Sequence, residues 1–434
     1  MKILLEAPVL TKSGYGEHSR FVFRALSSTI KDPSQAEIYV NPLNWGTTSW
    51  ISEETEEKSK IDDCILRFGN FMNFCREQKQ NPGWDVQIHV GIPNEFEKKA
   101  PYSICVTAGI ETDRVDASWL FKTHKGIQKI IVPSEHAKRG FTETNYEIFN
   151  QENNQKTLLN CASNVQVVPY PHKEHTPVDL DFQLETKFNF LSIALLSPRK
   201  NIESMLKWFV EEFKDEDVGL VLKTAYARGS ILDRKRTTET IEKILKNYPD
   251  RKCKIYLLHG SMTEEEIHSL YMREDIHAYV TTTHGEGFGL PIFEAAYSGL
   301  PIVATDWSAH LDFLSAPYKE GKSKNPKTKK LFAKVGYDLG EIPEHVVWKD
   351  IIPAGSQWAY PKQESFKRQI RNVYKNHGMY KKWSIELKKE IEKTHCPEKI
   401  MSEMIEAMIS DMHPAVQSRF RPDQNLNKKV VVFE

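Results

Sequence analysis

Short apolar runs alternate with longer stretches of helical period along most of the chain, a pattern that predicts parallel strands joined by helical crossovers. In the first half the strand-like runs are residues 2–5, 37–40, 85–90, 102–107, 128–132 and 165–168. In the second half they are 188–196, 218–223, 254–258 and 276–283. Between the halves, Pro169-Tyr170-Pro171-His172 opens a polar, proline-containing linker that runs to about residue 186. Residues 366–409 read as charged helices, and after Met412 a polar tail ends in an apolar run, 430–433, suited to docking. No repeat is visible beyond the two α/β halves. A chain of 434 residues exceeds the size at which single cores stop growing. Two domains are therefore expected: residues 1–180, rejoined by about 410–434, and residues 187–409.

The most informative loop follows the 276–283 run. It reads His284-Gly285-Glu286-Gly287-Phe288-Gly289-Leu290-Pro291 and leads into a short helix over 291–298, which Gly299 and Pro301 stop. Its glycines leave amide groups uncovered where the helix dipole presents partial positive charge, which makes an anion site. Glu286 and Glu294 bracket that site and would repel a phosphate, so they suit hydroxyl groups better. A phosphate flanked by two polyols has the form of a nucleotide-sugar. The competing explanation is an ordinary solvated helix start, with Glu294 favouring the dipole.

Glu286, seven residues and then Glu294, with Gly287-Phe288-Gly289-Leu290-Pro291 inside the spacing and Gly299-Leu300-Pro301 after it, resembles the E-x7-E signature of retaining glycosyltransferases of family 4. The resemblance implies the GT-B fold: an α/β protein of two Rossmann-like domains facing across a cleft, with a C-terminal helix crossing back. It also implies that Glu286 and the amides of Gly287, Phe288, Gly289 and Leu290 contact the donor sugar, and that Glu294 holds the ribose. Ser197-Pro198-Arg199-Lys200-Asn201 resembles the family's basic motif, in which Arg199 and Lys200 would stabilise the departing diphosphate. Ala194-Leu195 stands where many members carry Gly-Arg. Gly260, in the turn through Met262, would lie by the base, and residues 306–310 could line the cleft. Gly14, Tyr15 and Gly16 resemble the glycine loop that lies over the diphosphate and helps admit the acceptor. Many members have a histidine after the strand equivalent to 102–107. This sequence offers Glu111 there, either as a substitute group at the reacting carbon or as a partner of Arg114.

Gly14-x-Gly16-x-x-Ser19 also comes close to a dinucleotide fingerprint. The loop after its strand is too long for the tight turn, and Asn41 stands where a ribose-binding carboxylate is needed. Two further helix starts carry capping signals, Ser134 and the capping box Thr263-x-x-Glu266.

Lys+Arg and Asp+Glu both number 59, so global charge gives no support to nucleic-acid binding. A local exception is 319–330, which holds six lysines and reads as a mobile basic loop, either solvated or in contact with a polyanion. The charge run 53–60 reads as a solvated face. The six cysteines show no C-x-x-C pair or zinc-ligand spacing. No signal-peptide pattern opens the chain and no run of about 18 apolar residues occurs. A cytoplasmic location is expected.

The function expected is that of a retaining hexosyl- or pentosyltransferase that moves a sugar from a nucleotide-sugar, UDP- or GDP-linked, to a hydroxyl acceptor without metal or other cofactor. The acceptor classes are glycan, lipid, protein, or a hydroxymethylated DNA base of the phage type, which would have to be reached in or out of the duplex. The alternative is a catalytically silent nucleotide-sugar-binding module on the same fold.

Overall fold

A computed structural model describes residues 1–420 apart from 47, 53, 151–154, 228 and 320–324. The expected docking run at 430–433 and the centre of the lysine loop lie outside the described residues. The chain builds two six-stranded parallel sheets. The first contains β1 (Lys2–Ala7), β2 (Glu37–Pro42), β3 (Val86–Val90), β4 (Tyr102–Val106), β5 (Lys129–Val132) and β6 (Asn164–Val167), in the order β2-β1-β3-β4-β5-β6. The second contains β7 (Phe188–Ile193), β8 (Val218–Lys223), β9 (Lys254–Leu258), β10 (Ala278–Val280), β11 (Ile302–Thr305) and β12 (Ala333–Val335), in the order β9-β8-β7-β10-β11-β12. Strands such as Ile3-Leu4-Leu5 and Val218-Gly-Leu-Val-Leu are apolar on both faces, as parallel strands covered by helices on each side must be.

Strand order locates the site. In open α/β sheets, ligands collect beyond the carboxyl ends of strands where the order reverses. In the second sheet that reversal lies between β7 and β10, and the loops leaving these two strands are the basic motif and the Glu286 loop. The run expected as a strand over 276–283 pairs only over Ala278–Val280. The reason lies in its threonines: Thr282 donates to the Asn201 carbonyl (3.2 Å) and Thr283 to that of Gly285 (3.1 Å), so their hydroxyls fasten the site loops.

Several contacts join the halves. The helix Pro397–Ile409 packs on the helix Gly14–Thr29, burying Ile400, Met404 and Met408 in a core continuous with Ile3, Leu5 and Phe21. Fully buried Lys129 on β5 ties that helix down by donating to the Ala407 carbonyl and to Ser410 Oγ, both at 2.6 Å, and meets Asp411 at 3.0 Å. The antiparallel pair Tyr337–Glu341 and Gln357–Pro361 reaches the first half. There the Gln357 amide donates to Asp113 Oδ1 (2.6 Å), and Trp119 Nε1 donates to the Asp350 carbonyl (2.8 Å). Among the described residues no helix is long and apolar enough to cross a membrane, and all six cysteines are free thiols.

Lys129→Met should cost about 1–3 kcal/mol, because two acceptors lose their buried donor while exposed Asp411 returns to water. Hydrogen exchange should quicken over 397–409 and change little in the second sheet. Uniform exchange across the chain would count against this anchoring.

Candidate active site

The basic motif is shaped by its own residues. Pro198 starts a single turn, Pro198–Lys200, and Asn201 ends it in the left-handed region (φ 53°), a conformation that asparagine tolerates better than most residues. The chain then enters the helix Ile202–Phe213. Asn201 is held to Thr282 from both directions, and His284 N–H donates to the Arg199 carbonyl (2.8 Å). The loops after β7 and β10 are therefore knitted into one unit before any charged group is considered.

Within that unit Glu286 receives both cations. Arg199 Nη1 donates to Oε2 at 3.0 Å and Lys200 Nζ to Oε1 at 2.6 Å. Arg199 also donates to the Gly285 carbonyl (2.7 Å), and its Nη2 meets Glu111 at 3.2 Å. Glu286 is 6% exposed. Burial would raise its pKa, but Lys200 and then Arg199 hold it down to about 2. Burial acts against the charged form of Arg199 too, and Glu111 and Glu286 outweigh it. For Lys200 burial wins and pulls it below the usual lysine range.

Glu111 thus pairs with Arg199 across the cleft, whereas Arg114 pairs with Asp113 (2.9 Å). Tyr15 joins the same corner: its hydroxyl lies 2.9 Å from Thr107 Oγ1 and its ring packs edge-on against Trp45. Gly14 and Gly16 open the helix Gly14–Thr29, which Ser13 caps.

The Glu286 loop abuts the first half. Ser134, which caps the helix Glu135–Thr142, also donates to the Gly287 carbonyl at 2.8 Å. Phe288 packs on Tyr170 of the linker, with ring centroids 4.8 Å apart. Gly289 sits at φ 96°, strained for any side chain, and starts the helix Leu290–Tyr297, one residue earlier at each end than expected. Ser308 (φ 82°) accepts from the Glu286 amide at 3.0 Å, and buried His310 lies beside it. His310 Nε2 reaches the Thr305 carbonyl (2.7 Å), so that nitrogen carries the proton, and burial keeps the ring neutral.

Glu294 and Gly260 lie in separate corners. Glu294 accepts from Tyr271 at 2.9 Å, and burial pushes its pKa up to about 7, with Tyr271 and Lys173 opposing and Glu264 and Glu17 adding to the rise. The Gly260 carbonyl takes the ammonium of Lys223, while Lys12 from the first half reaches the Met262 carbonyl (2.7 Å). The capping box of Thr263 and Glu266 is formed in full. Lys12, Lys223, Tyr271, Lys173 and Ser308 were not singled out by sequence reasoning. Ser308 fell within a stretch expected to line the cleft; Lys223 closes an expected strand and Tyr271 lies in the helix that the capping box opens, but neither pattern marks its side chain for the site.

Residues 181–334 match the family model described as Glycosyl transferases group 1. The serotype-specific mannosyltransferase WbdA of Escherichia coli is 29% identical over 121 residues, a match that spans 27% of this chain and 13% of that protein. Among solved structures, HepE of Anabaena in complex with UDP and glucose aligns at a TM-score of 0.56 and 11% identity, covering 94% of this chain and all of that one. Sucrose-phosphate synthase of Thermosynechococcus elongatus aligns at 0.58 and 12%, covering 93% and 97%. A glycosyltransferase of Rickettsia africae aligns at 0.55 and 11%, covering 94% and 98%. The fold is therefore GT-B.

Proposed function

We propose that this chain, a GT-B protein with a Glycosyl transferases group 1 domain at residues 181–334, is a retaining glycosyltransferase that uses a nucleotide-sugar donor without metal. The observation that carries the reading is the clustering of Arg199, Lys200 and Glu286 at the strand-order reversal of the second sheet, beside the Gly287–Leu290 loop. The bond from the anomeric carbon to the diphosphate breaks, and its electron pair leaves with the diphosphate oxygen. Arg199 and Lys200 stabilise that charge in a site shielded from water. The acceptor hydroxyl attacks the oxocarbenium-like carbon from the face the diphosphate leaves, and its proton passes to the departing oxygen.

Glu286 aligns the two cations and, with the loop amides, meets the sugar. Glu294 receives the ribose hydroxyls, and Gly260 borders the base. The Gly14-Tyr15-Gly16 loop covers the diphosphate, with Glu111 at the reacting carbon. The mannosyltransferase relatives make a mannosyl donor, UDP- or GDP-linked, the first to test. The acceptor is a hydroxyl of a glycan, lipid or protein, or a hydroxymethylated DNA base, met in the cytoplasm.

The experiment is thermal-shift binding of UDP, GDP, ADP and their sugars, without metal and then with magnesium. One nucleotide raising the melting temperature without metal supports the donor site. Stabilisation only with magnesium overturns metal independence. Binding without sugar release to water or to any acceptor class favours the silent module.

A further inference from the structure

Tyr271, the penultimate residue of the helix Glu264–Met272, lies outside the loops that carry the cations; its ring is buried and its hydroxyl is turned to the carboxylate of the Leu290–Tyr297 helix. Its partner there is Glu294 Oε2, at 2.9 Å. That hydrogen bond occupies one carboxylate oxygen and fixes the plane of the other. We propose that Tyr271 is a positioning residue for the donor: its hydroxyl holds the Glu294 carboxylate so that the second oxygen is aimed at the ribose hydroxyls. The inference rests on the donor-site reading above and adds to it a residue that touches no substrate.

The surroundings of Glu294 give this contact a consequence. The charged and titratable groups facing it are Tyr271 and Glu264 from the Glu264–Met272 helix, Lys173 from the linker, Glu17 from the Gly14–Thr29 helix, Tyr297 from its own helix and Tyr279 from β10. Glu17, Lys173 and Glu264 form a chain of ion pairs at 2.9 and 2.8 Å across the two halves. Burial dominates and favours the neutral acid, so the carboxylate titrates near pH 7. The ionised form is the stronger acceptor for ribose. Binding that depends on the ribose should therefore strengthen as pH rises through about 7. Removing the Tyr271 hydroxyl removes a group that favours the carboxylate, so the midpoint should move upward.

The test compares wild type, Tyr271→Phe and Glu294→Ala by calorimetry with UDP and GDP, carrying forward the tighter ligand and its 2′,3′-dideoxy form, from pH 5.5 to 8.5. Hydrogen bonds from two hydroxyls to a charged acceptor should make the wild type prefer the ribonucleotide by about 10–100-fold at pH 8. Glu294→Ala should abolish the preference. Tyr271→Phe should reduce it to about 2–5-fold, with a higher pH midpoint and little change in affinity for the dideoxy form. A Tyr271→Phe protein that weakens both ligands equally and keeps the wild-type preference and midpoint would show that the tyrosine only packs, and would overturn the inference alone. A Glu294→Ala protein that keeps the preference would overturn the donor-site reading, and with it this one.

Discussion

Glu286→Gln should lower the rate of sugar release from the donor by about 10²–10³-fold, the loss typical when one preorganised donor to the developing charge is lost, because one of the two cations loses its alignment. The substitution keeps size and shape but can accept from only one of the two cations. Its amide nitrogen would face either Lys200 Nζ, now 2.6 Å from Oε1, or Arg199 Nη1, now 3.0 Å from Oε2. Whichever cation loses its acceptor turns away from the line on which the diphosphate departs. Lys200 is the more vulnerable, because burial already depresses its pKa and Glu286 is the largest opposing influence. Arg199 keeps Glu111 and the Gly285 carbonyl.

Breaking a buried ion pair from one side typically costs about 3–5 kcal/mol, and the surviving partners of Arg199 place this case at the lower end. Single-turnover release and urea unfolding separate the two effects. A stability loss near 3 kcal/mol with an unchanged rate would reduce Glu286 to a structural clasp.

Local signals made much of this site legible. Periodicity located the strands on which the loops sit, and the glycine-proline punctuation placed the Glu286 helix to within one residue at each end. The capping signals at Ser134 and Thr263 are local by nature, and both are formed. Arg199, Lys200 and Glu286 were recognisable because each lies in a short motif at a strand end. What stayed hidden depends on tertiary packing. The 276–283 run looked like one strand because threonine suits strands, yet its last residues bind the neighbouring loop instead of the sheet. Glu111 had a sequence neighbour in Arg114, but the fold gives Arg114 to Asp113 and brings Arg199 to Glu111 from the other half. Tyr271 and Glu294 lie 23 residues apart on two helices, and no spacing rule relates them. Lys173 is a lone lysine in a polar linker until the two halves close on it.

The contact between those halves leads to the second large effect, at Gly285. A methyl group on its α-carbon would lie 2.0 Å from the Glu111 carbonyl oxygen and 2.8 Å from the Trp307 ring. The first neighbour is backbone and cannot rotate away, so the Glu286 loop and the loop after β4 must part. Overpacking of this kind costs about 1–3 kcal/mol. The functional cost should be larger, because Gly285 also supplies the carbonyl that orients Arg199 at 2.7 Å. A shift of about 1 Å in a positioned group can cost about 10²-fold in rate. Gly285→Ala should therefore lose about 10–100-fold in sugar release while retaining nucleotide affinity, since Glu294 and the Gly260 turn stand apart from the clash. Gly69→Ala, inside the helix Glu56–Glu77 and away from the site, supplies the control: its methyl group meets nothing within 4 Å, and it should leave the rate unchanged without lowering stability. Equal behaviour of the two variants would mean that the reacting state holds these loops apart. Glu111 would then meet Arg199 only when the halves are closed together, and a role for Glu111 at the reacting carbon would have to be abandoned.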